Sequence, residues 1–255
     1  IAFCSDRTGN WDVFIMQPDG SALRRLTANP ADDGTPVWSS DKRYLAFTSN
    51  RDGNWEIYIM GWDGSGPRRL THHPADDGGP TWSPDGQHIA FSSDRDGNYE
   101  IYTLDVNSND LRRLTNDPGK DSAPSWSPDG QWLAFNSERK GNWDIYVMRP
   151  DGTDVRQLTS HPADDWRPTW SPDGQKLAFS SMRDGNWEIY IMAADGSALQ
   201  RLTDNPAMDW RAAWVAAQAW LATRIAESDS ARFFMETAPE QLALHIAEAR
   251  AASGL

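Results

Sequence analysis

The sequence predicts an all-β chain, a five-bladed β-propeller of four-stranded blades over residues 1–214, followed by a short C-terminal α-helical tail over residues 215–255. Three observations carry that prediction. Leu-Thr pairs recur at Leu26-Thr27, Leu70-Thr71, Leu114-Thr115, Leu158-Thr159 and Leu202-Thr203 in steps of 44 residues, and Trp38, Trp82, Trp126, Trp170 and Trp214 keep the same period. Each copy holds four short apolar runs, and four strands per ~40 to 50 residues is the period of a propeller blade rather than of a helical solenoid. The third run, Ile57-Tyr58-Ile59-Met60 in one copy, is apolar on both faces, as suits a strand sandwiched between neighbouring blades.

One copy serves to justify the elements in order. A first strand lies around Thr81-Trp82-Ser83, and Ser83-Pro84-Asp85-Gly86 closes a hairpin, with Pro where a type I turn needs φ near −65° and Gly where a bulge needs φ > 0. Ile89-Ala90-Phe91-Ser92 is the second strand, Asp96-Gly97-Asn98 the next turn and Glu100-Ile101-Tyr102-Thr103 the third strand. Turns such as Asp19-Gly20 and Asp151-Gly152 lead to the fourth strand, here Leu111-Arg112-Arg113-Leu114. Asn10, Asn54, Asn98, Asn142 and Asn186 keep the register as well.

The two ends depart from this pattern. Ile1-Ala2-Phe3 aligns with a second strand, so the first blade lacks its own innermost strand, and Asp209 to Trp214 is expected to supply it and close the ring without open edges. After Trp214 the turn sequence becomes Val215-Ala216-Ala217-Gln218, and helix formers dominate from Ala212 to Glu227. Thr237-Ala238-Pro239-Glu240 is a capping-box pattern for a second helix. Trp220-Leu221-Ala222 still matches Trp132-Leu133-Ala134, so the tail reads as a decayed or replaced sixth blade. Two roles are open for it: a plug on the ring, or an interface for a partner or a dimer.

Composition excludes several function classes. With 24 Lys+Arg against 37 Asp+Glu and a net charge of −13, the chain carries no electrostatic footprint for nucleic acid. No apolar run approaches the ~20 residues of a membrane span. The 14 Trp argue for a packed core despite a mean hydropathy of −0.69. The single Cys4 rules out an internal disulfide framework, and a first residue of Ile rather than Met is expected of a processed product.

Pro80-Thr81-Trp82-Ser83-Pro84-Asp85-Gly86-Gln87-His88-Ile89-Ala90-Phe91, followed by Ser93-Asp94-Arg95-Asp96-Gly97-Asn98, resembles the WD40-like (PD40) repeats of TolB-like propellers. The resemblance spans about residues 1–214. It implies a periplasmic or extracellular protein with a protein or peptide partner. Propellers of this kind also occur in peptidases, and the well-known TolB ring has six blades where five registers stand here.

The candidate sites follow from the registers. Asp33, Asp77, Asp121, Asp165 and Asp209 precede the innermost strands, and Arg7, Arg51, Arg95, Arg139 and Arg183 follow the second strands, which places both sets at one end of the blades. Their expected role is structural, a ring of Asp-Arg ion pairs. A Ca²⁺-binding carboxylate collar is the alternative use of those aspartates, opposed by the arginines; no other cofactor is expected. The five His share no ligand spacing, and no nucleophile, zinc or phosphate-loop motif is present. Trp11, Trp55, Tyr99, Trp143 and Trp187 share one register and are expected in the blade core.

After each repeated Asp stand Gly34-Thr35, Gly78-Gly79, Ser122-Ala123, Trp166-Arg167 and Trp210-Arg211. Three pairs are small and two are Trp-Arg, the residue types most enriched in binding hot spots, so Trp166, Arg167, Trp210 and Arg211 are the ligand-binding candidates. The sequence thus reads as a non-catalytic scaffold that binds a peptide, protein or small ligand at its channel mouth. The alternative is a metal-dependent propeller hydrolase or lyase, or the accessory domain of a peptidase.

Overall fold

The computed structural model describes residues 1–204, 206–209, 212 and 214. Five antiparallel sheets follow one another along the chain. The first has three strands, β1 (Ala2–Ser5), β2 (Asp12–Ile15) and β3 (Arg24–Arg25). The other four have four strands each, in sequential order. They are β4 (Asp33–Trp38), β5 (Tyr44–Ser49), β6 (Glu56–Gly61) and β7 (Arg68–Arg69); then β8 (Asp77–Trp82), β9 (His88–Ser93), β10 (Glu100–Asp105) and β11 (Leu111–Arg113). The last two sheets are β12 (Asp121–Trp126), β13 (Leu133–Ser137), β14 (Asp144–Met148) and β15 (Arg156–Gln157), then β16 (Asp165–Trp170), β17 (Lys176–Ser181), β18 (Glu188–Ala193) and β19 (Gln200–Arg201).

The turn chemistry explains the hairpins. Gly86 takes φ +70° and donates its N–H to Ser83 O at 2.9 Å, while the Ser83 hydroxyl donates to Asp85 Oδ1 at 2.5 Å and accepts from His88 N. The Leu-Thr pairs have a structural reason too. The Thr71, Thr115 and Thr159 hydroxyls each accept the N–H of the residue after the third strand's opening carboxylate (Ile57, Ile101 and Ile145) at 2.9 Å. Asn54 spans to the following loop, donating to His73 O and Ala75 O at 2.9 and 2.7 Å.

Second and third strands form the core because neighbouring sheets cover both of their faces. Phe47, Phe91, Phe135 and Phe179 are fully buried, and each ring packs against the tyrosine opposite it (Tyr58, Tyr102, Tyr146, Tyr190) with centroids 5.6–5.9 Å apart. Adjacent sheets are tied by indole N–H groups: Trp170 Nε1 donates to Ser125 O, and Trp214 Nε1 to Thr169 O, both at 3.1 Å.

At the ends, β1 is half-buried throughout, whereas its counterparts are buried along most of their length. Asp209 and Trp214 sit on the fifth sheet as each innermost strand sits on the sheet before it: Asp209 N–H donates to Trp187 O at 2.8 Å, and Trp214 packs on Ala178 and Ile191. Among the described residues no strand of the fifth sheet touches the first. The expected ring closure through Asp209 to Trp214 depends on residues 210, 211 and 213, and it lies, with the helical tail over 215–255, outside the described residues. Among the described residues no helix is long and apolar enough to cross a membrane.

Candidate functional site

Because each innermost strand and its successor form a hairpin, the start of one and the end of the other share a face. There Asp33, Asp77, Asp121 and Asp165 are fully buried. Arg51 Nη2 donates to both Asp33 oxygens at 2.8 and 3.0 Å, and Arg95 and Arg183 do the same to Asp77 and Asp165 at 2.9 Å. Each arginine also donates Nε to the serine two residues before it and lies over the buried tyrosine, as Arg51 does with Ser49 at 2.8 Å and Tyr58 at 4.7 Å. The innermost and second strands are thereby locked at their open end. Arg7 keeps the serine bond, to Ser5 at 2.9 Å, and lies 4.8 Å from the Phe14 ring centroid.

The lock is weaker in the fourth blade. Arg139 reaches Asp121 Oδ2 alone, at 2.8 Å, and Oδ1 is buried without a hydrogen-bond partner. Burial pushes the Asp121 carboxyl up to about 6, against the pull of Ser137 and Arg139. Burial also raises Asp77, opposed by Ser93 and Arg95. Arginines thus engage both oxygens of Asp33, Asp77 and Asp165 and one of the two of Asp121. Among the described residues no group of three or more His, Cys, Asp or Glu could hold a metal ion.

Past each aspartate the innermost strand is bulged, with the register broken between Gly34 and Val37, Gly78 and Thr81, Ser122 and Ser125, and Trp166 and Thr169. The bulge puts Thr35, Gly79, Ala123 and Arg167 in the left-handed region, at φ 44°, 61°, 52° and 57°. For a non-glycine residue this costs on the order of 1–3 kcal/mol and persists where surrounding contacts enforce it. Those contacts come from the preceding blade: Ala123 N–H donates to Ser92 Oγ at 3.1 Å, and Arg167 N–H to Asn136 Oδ1 at 3.0 Å. Trp166 meets Trp143 edge-on, centroids 5.0 Å apart at 68°. The structure thus sets Trp166 and Arg167 on the same face as the Asp-Arg locks. Trp210 and Arg211 lie outside the described residues; beside them Met208 is 71% exposed.

One expectation is corrected. Trp11, Trp55, Tyr99, Trp143 and Trp187 are not core residues: Trp11 is 49% exposed and the others are half-buried. Each precedes the third strand on the turn, where its backbone carbonyl accepts the N–H of the next repeated aspartate, as Trp55 O does from Asp77 at 2.8 Å. The register therefore serves a backbone contact and leaves the ring at the rim.

A second polar set escapes the sequence reading, although its members keep the same period. The buried carboxylates Asp12, Glu56, Glu100 and Glu188 open the third strands and pair with Arg25, Arg69, Arg113 and Arg201 of the fourth strands at 2.5, 2.5, 2.9 and 3.0 Å. In the fourth blade the corresponding residues are Asp144 and Gln157, with Gln157 Nε2 donating to Asp144 Oδ2 at 2.9 Å.

Successive four-stranded sheets, each locked by an Asp-Arg pair at one end, define a propeller of TolB-like blades. The profile of the PD40 family, the TolB beta propeller domain, matches residues 1–77, 34–120, 73–169 and 112–243. The chain belongs to that family. Among solved structures it is similar to TolB from Acinetobacter baumannii, at 26% identity and a TM-score of 0.74, covering 82% of this chain and 54% of that one. It therefore spans about half the length of that relative. A TolB-type protein of Agrobacterium tumefaciens is 28% identical, with a TM-score of 0.57 and coverage of 71% and 84%. An oligogalacturonate lyase from Vibrio parahaemolyticus shares the fold at 16% identity and a TM-score of 0.62, covering 81% and 62%. No curated protein sequence matches the chain.

Proposed function

We propose that this chain is a non-catalytic propeller scaffold that holds a peptide or protein partner at its channel mouth, with Trp166, Arg167, Trp210 and Arg211 as anchors, in the periplasm or outside the cell. The observation that supports this reading most is the break in repeat symmetry at the bulge. The backbone is the same at the four described bulges, yet across the five registers of the sequence small residues stand at three and Trp-Arg at two. In a quasi-symmetric ring, selectivity for an asymmetric partner has to come from such positions. Arginine can clamp a carboxylate through two parallel hydrogen bonds, and indole stacks on apolar or ring-bearing groups, so the partner is acidic or aromatic at its point of contact.

For a partner recovered by pull-down, calorimetry on Trp166→Ala or Arg167→Ala should show a loss of ~2 kcal/mol or more, as hot-spot residues do, while Thr35→Ala leaves affinity nearly unchanged. Equal losses at every register would point to a symmetric collar and sink the proposal.

The competing reading is a metal-dependent lyase or hydrolase, which draws on the shared fold of the Vibrio lyase. The engagement of the channel-end carboxylates by arginine weighs against it. Metal analysis of the purified protein distinguishes the two.

A further inference from the structure

The fourth blade departs from its siblings at one point on this same face. In the second, third and fifth blades the fourth-strand arginine pairs with the third-strand glutamate and also reaches Asp52, Asp96 or Asp184 at 3.2–3.4 Å. That aspartate accepts the hydrogen bond of the buried tyrosine. In the first blade Thr8 stands in the aspartate's register and Phe14 in the tyrosine's, so no hydroxyl is left over, and Arg25 still holds Asp12. The fourth blade has Lys140 for the aspartate and Gln157 for the arginine, yet keeps the tyrosine.

Two buried groups are thereby left underserved. Asp144, 2% exposed, is held by neutral donors, Gln157 Nε2 at 2.9 Å and Thr159 Oγ1 at 3.3 Å. The Tyr146 hydroxyl, on a side chain 3% exposed overall, has no hydrogen-bond partner among the described residues. We propose that Asp144 and Tyr146 form a docking point for a guanidinium from another molecule, an arginine side chain of a bound peptide or protein segment, seated where the other blades seat their own arginine.

The position is reachable. Arg25, Arg69, Arg113 and Arg201 are 25–32% exposed at their side chains, and in the fourth blade the equivalent place is taken by the exposed Gln157, so it lies at the surface. Gln157 is exposed and can swing away from Asp144 at the loss of one hydrogen bond from a neutral amide, which the incoming guanidinium replaces. The surrounding charges favour a cation. Asp164 and Asp165 face Asp144 from the neighbouring sheet, with Asp165 itself held by Arg183. Asp117 and Asp121 lie towards Tyr146; Arg139, 4.7 Å from its ring centroid, opposes a cation there but is paired with Asp121. Lys140 opposes the guest, but it is exposed and its ammonium can remain in water. A guanidinium spreads its donors over a planar fork of fixed geometry that can span a carboxylate and a hydroxyl set apart from each other, whereas an ammonium is a compact, strongly hydrated point charge, so arginine is favoured over lysine. The inference is independent of the channel-mouth reading.

The test is a titration of the whole chain with N-acetyl-arginine amide at pH 7.5, followed by NMR at the Asp144 carboxyl carbon, against the blocked lysine and citrulline amides. Arginine amide should saturate the shift with an affinity at least ~5-fold above either analogue, because they lack the charged fork. The response should fade as Asp144 protonates. Gln157→Arg, an exposed change that supplies the blade's own arginine, should abolish it. An unchanged response in Gln157→Arg, or equal responses to arginine and citrulline amides, would overturn the proposal. So would no response at all in the unmodified chain.

Discussion

Stability of this propeller should fall as pH rises from about 4.5 to 7.5, and Asp144 should carry a measurable part of that fall. Burial pushes the Asp144 carboxyl up to about 6 from 3.8, opposed by Thr159, with the charges of Asp165 and Asp164 adding to the rise. The folded state therefore binds this proton more tightly than the unfolded chain does. The contribution is fully present below the unfolded value and is lost as pH rises through about 6. A shift of about two units corresponds to a ceiling of about 3 kcal/mol, and relaxation of the site reduces the expected share to about 1–2 kcal/mol. Asp121 acts in the same direction and window. Carboxyls held low by serine hydroxyls, such as Asp41, Asp129 and Asp173, work in the opposite sense, but their contribution is lost only at more acid pH. Urea unfolding followed by tryptophan fluorescence between pH 4.5 and 7.5 measures the slope. Asp144→Asn should flatten it and raise stability at pH 7.5 by about 1–2 kcal/mol. A midpoint that climbs over this range, or an Asp144→Asn variant less stable at pH 7.5, would refute the reasoning.

Two further outcomes are expected. Arg95→Ala should cost about 3–5 kcal/mol in chemical denaturation, because it strands the buried Asp77 carboxylate, whereas Arg7→Ala, which removes a hydrogen bond to the Ser5 hydroxyl and a contact with the Phe14 ring, should cost less than about 1 kcal/mol. Gly119→Ala should destabilise by about 1–3 kcal/mol, since a Cβ there would stand 2.6 Å from Arg139 N and 2.7 Å from its Cα; a wild-type unfolding midpoint would contradict this.

Gly119 also shows where the repeat pattern misleads. Alanine occupies its register at Ala31, Ala75, Ala163 and Ala207, so the sequence alone would call the substitution harmless. The backbone of Glu138 and Arg139 crosses close to it, and that proximity exists only after two hairpin strands have been brought together.

Much of the fold is determined by the sequence itself, because the 44-residue period and the turn residues act locally. Ser83 to Gly86 can form its turn without reference to the rest of the chain, and short apolar runs such as Ile89 to Phe91, bounded by turn residues, mark strands by their apolar content alone. The shared registers of Asp33 with Arg51, and of their repeats, likewise place partners at one end of a hairpin from spacing alone. What the tertiary structure decided depends on contacts between sheets. Whether Trp55 faces the core or the rim is set by the carbonyl it offers to the next blade's Asp77. That Arg167 adopts a left-handed backbone is enforced by Asn136 of the preceding blade, 31 residues away. The repeat marks which positions matter, but partners such as Asp121 with one unpaired oxygen, or Asp144 without an arginine, acquire their character from burial, which arises only when neighbouring sheets exclude water.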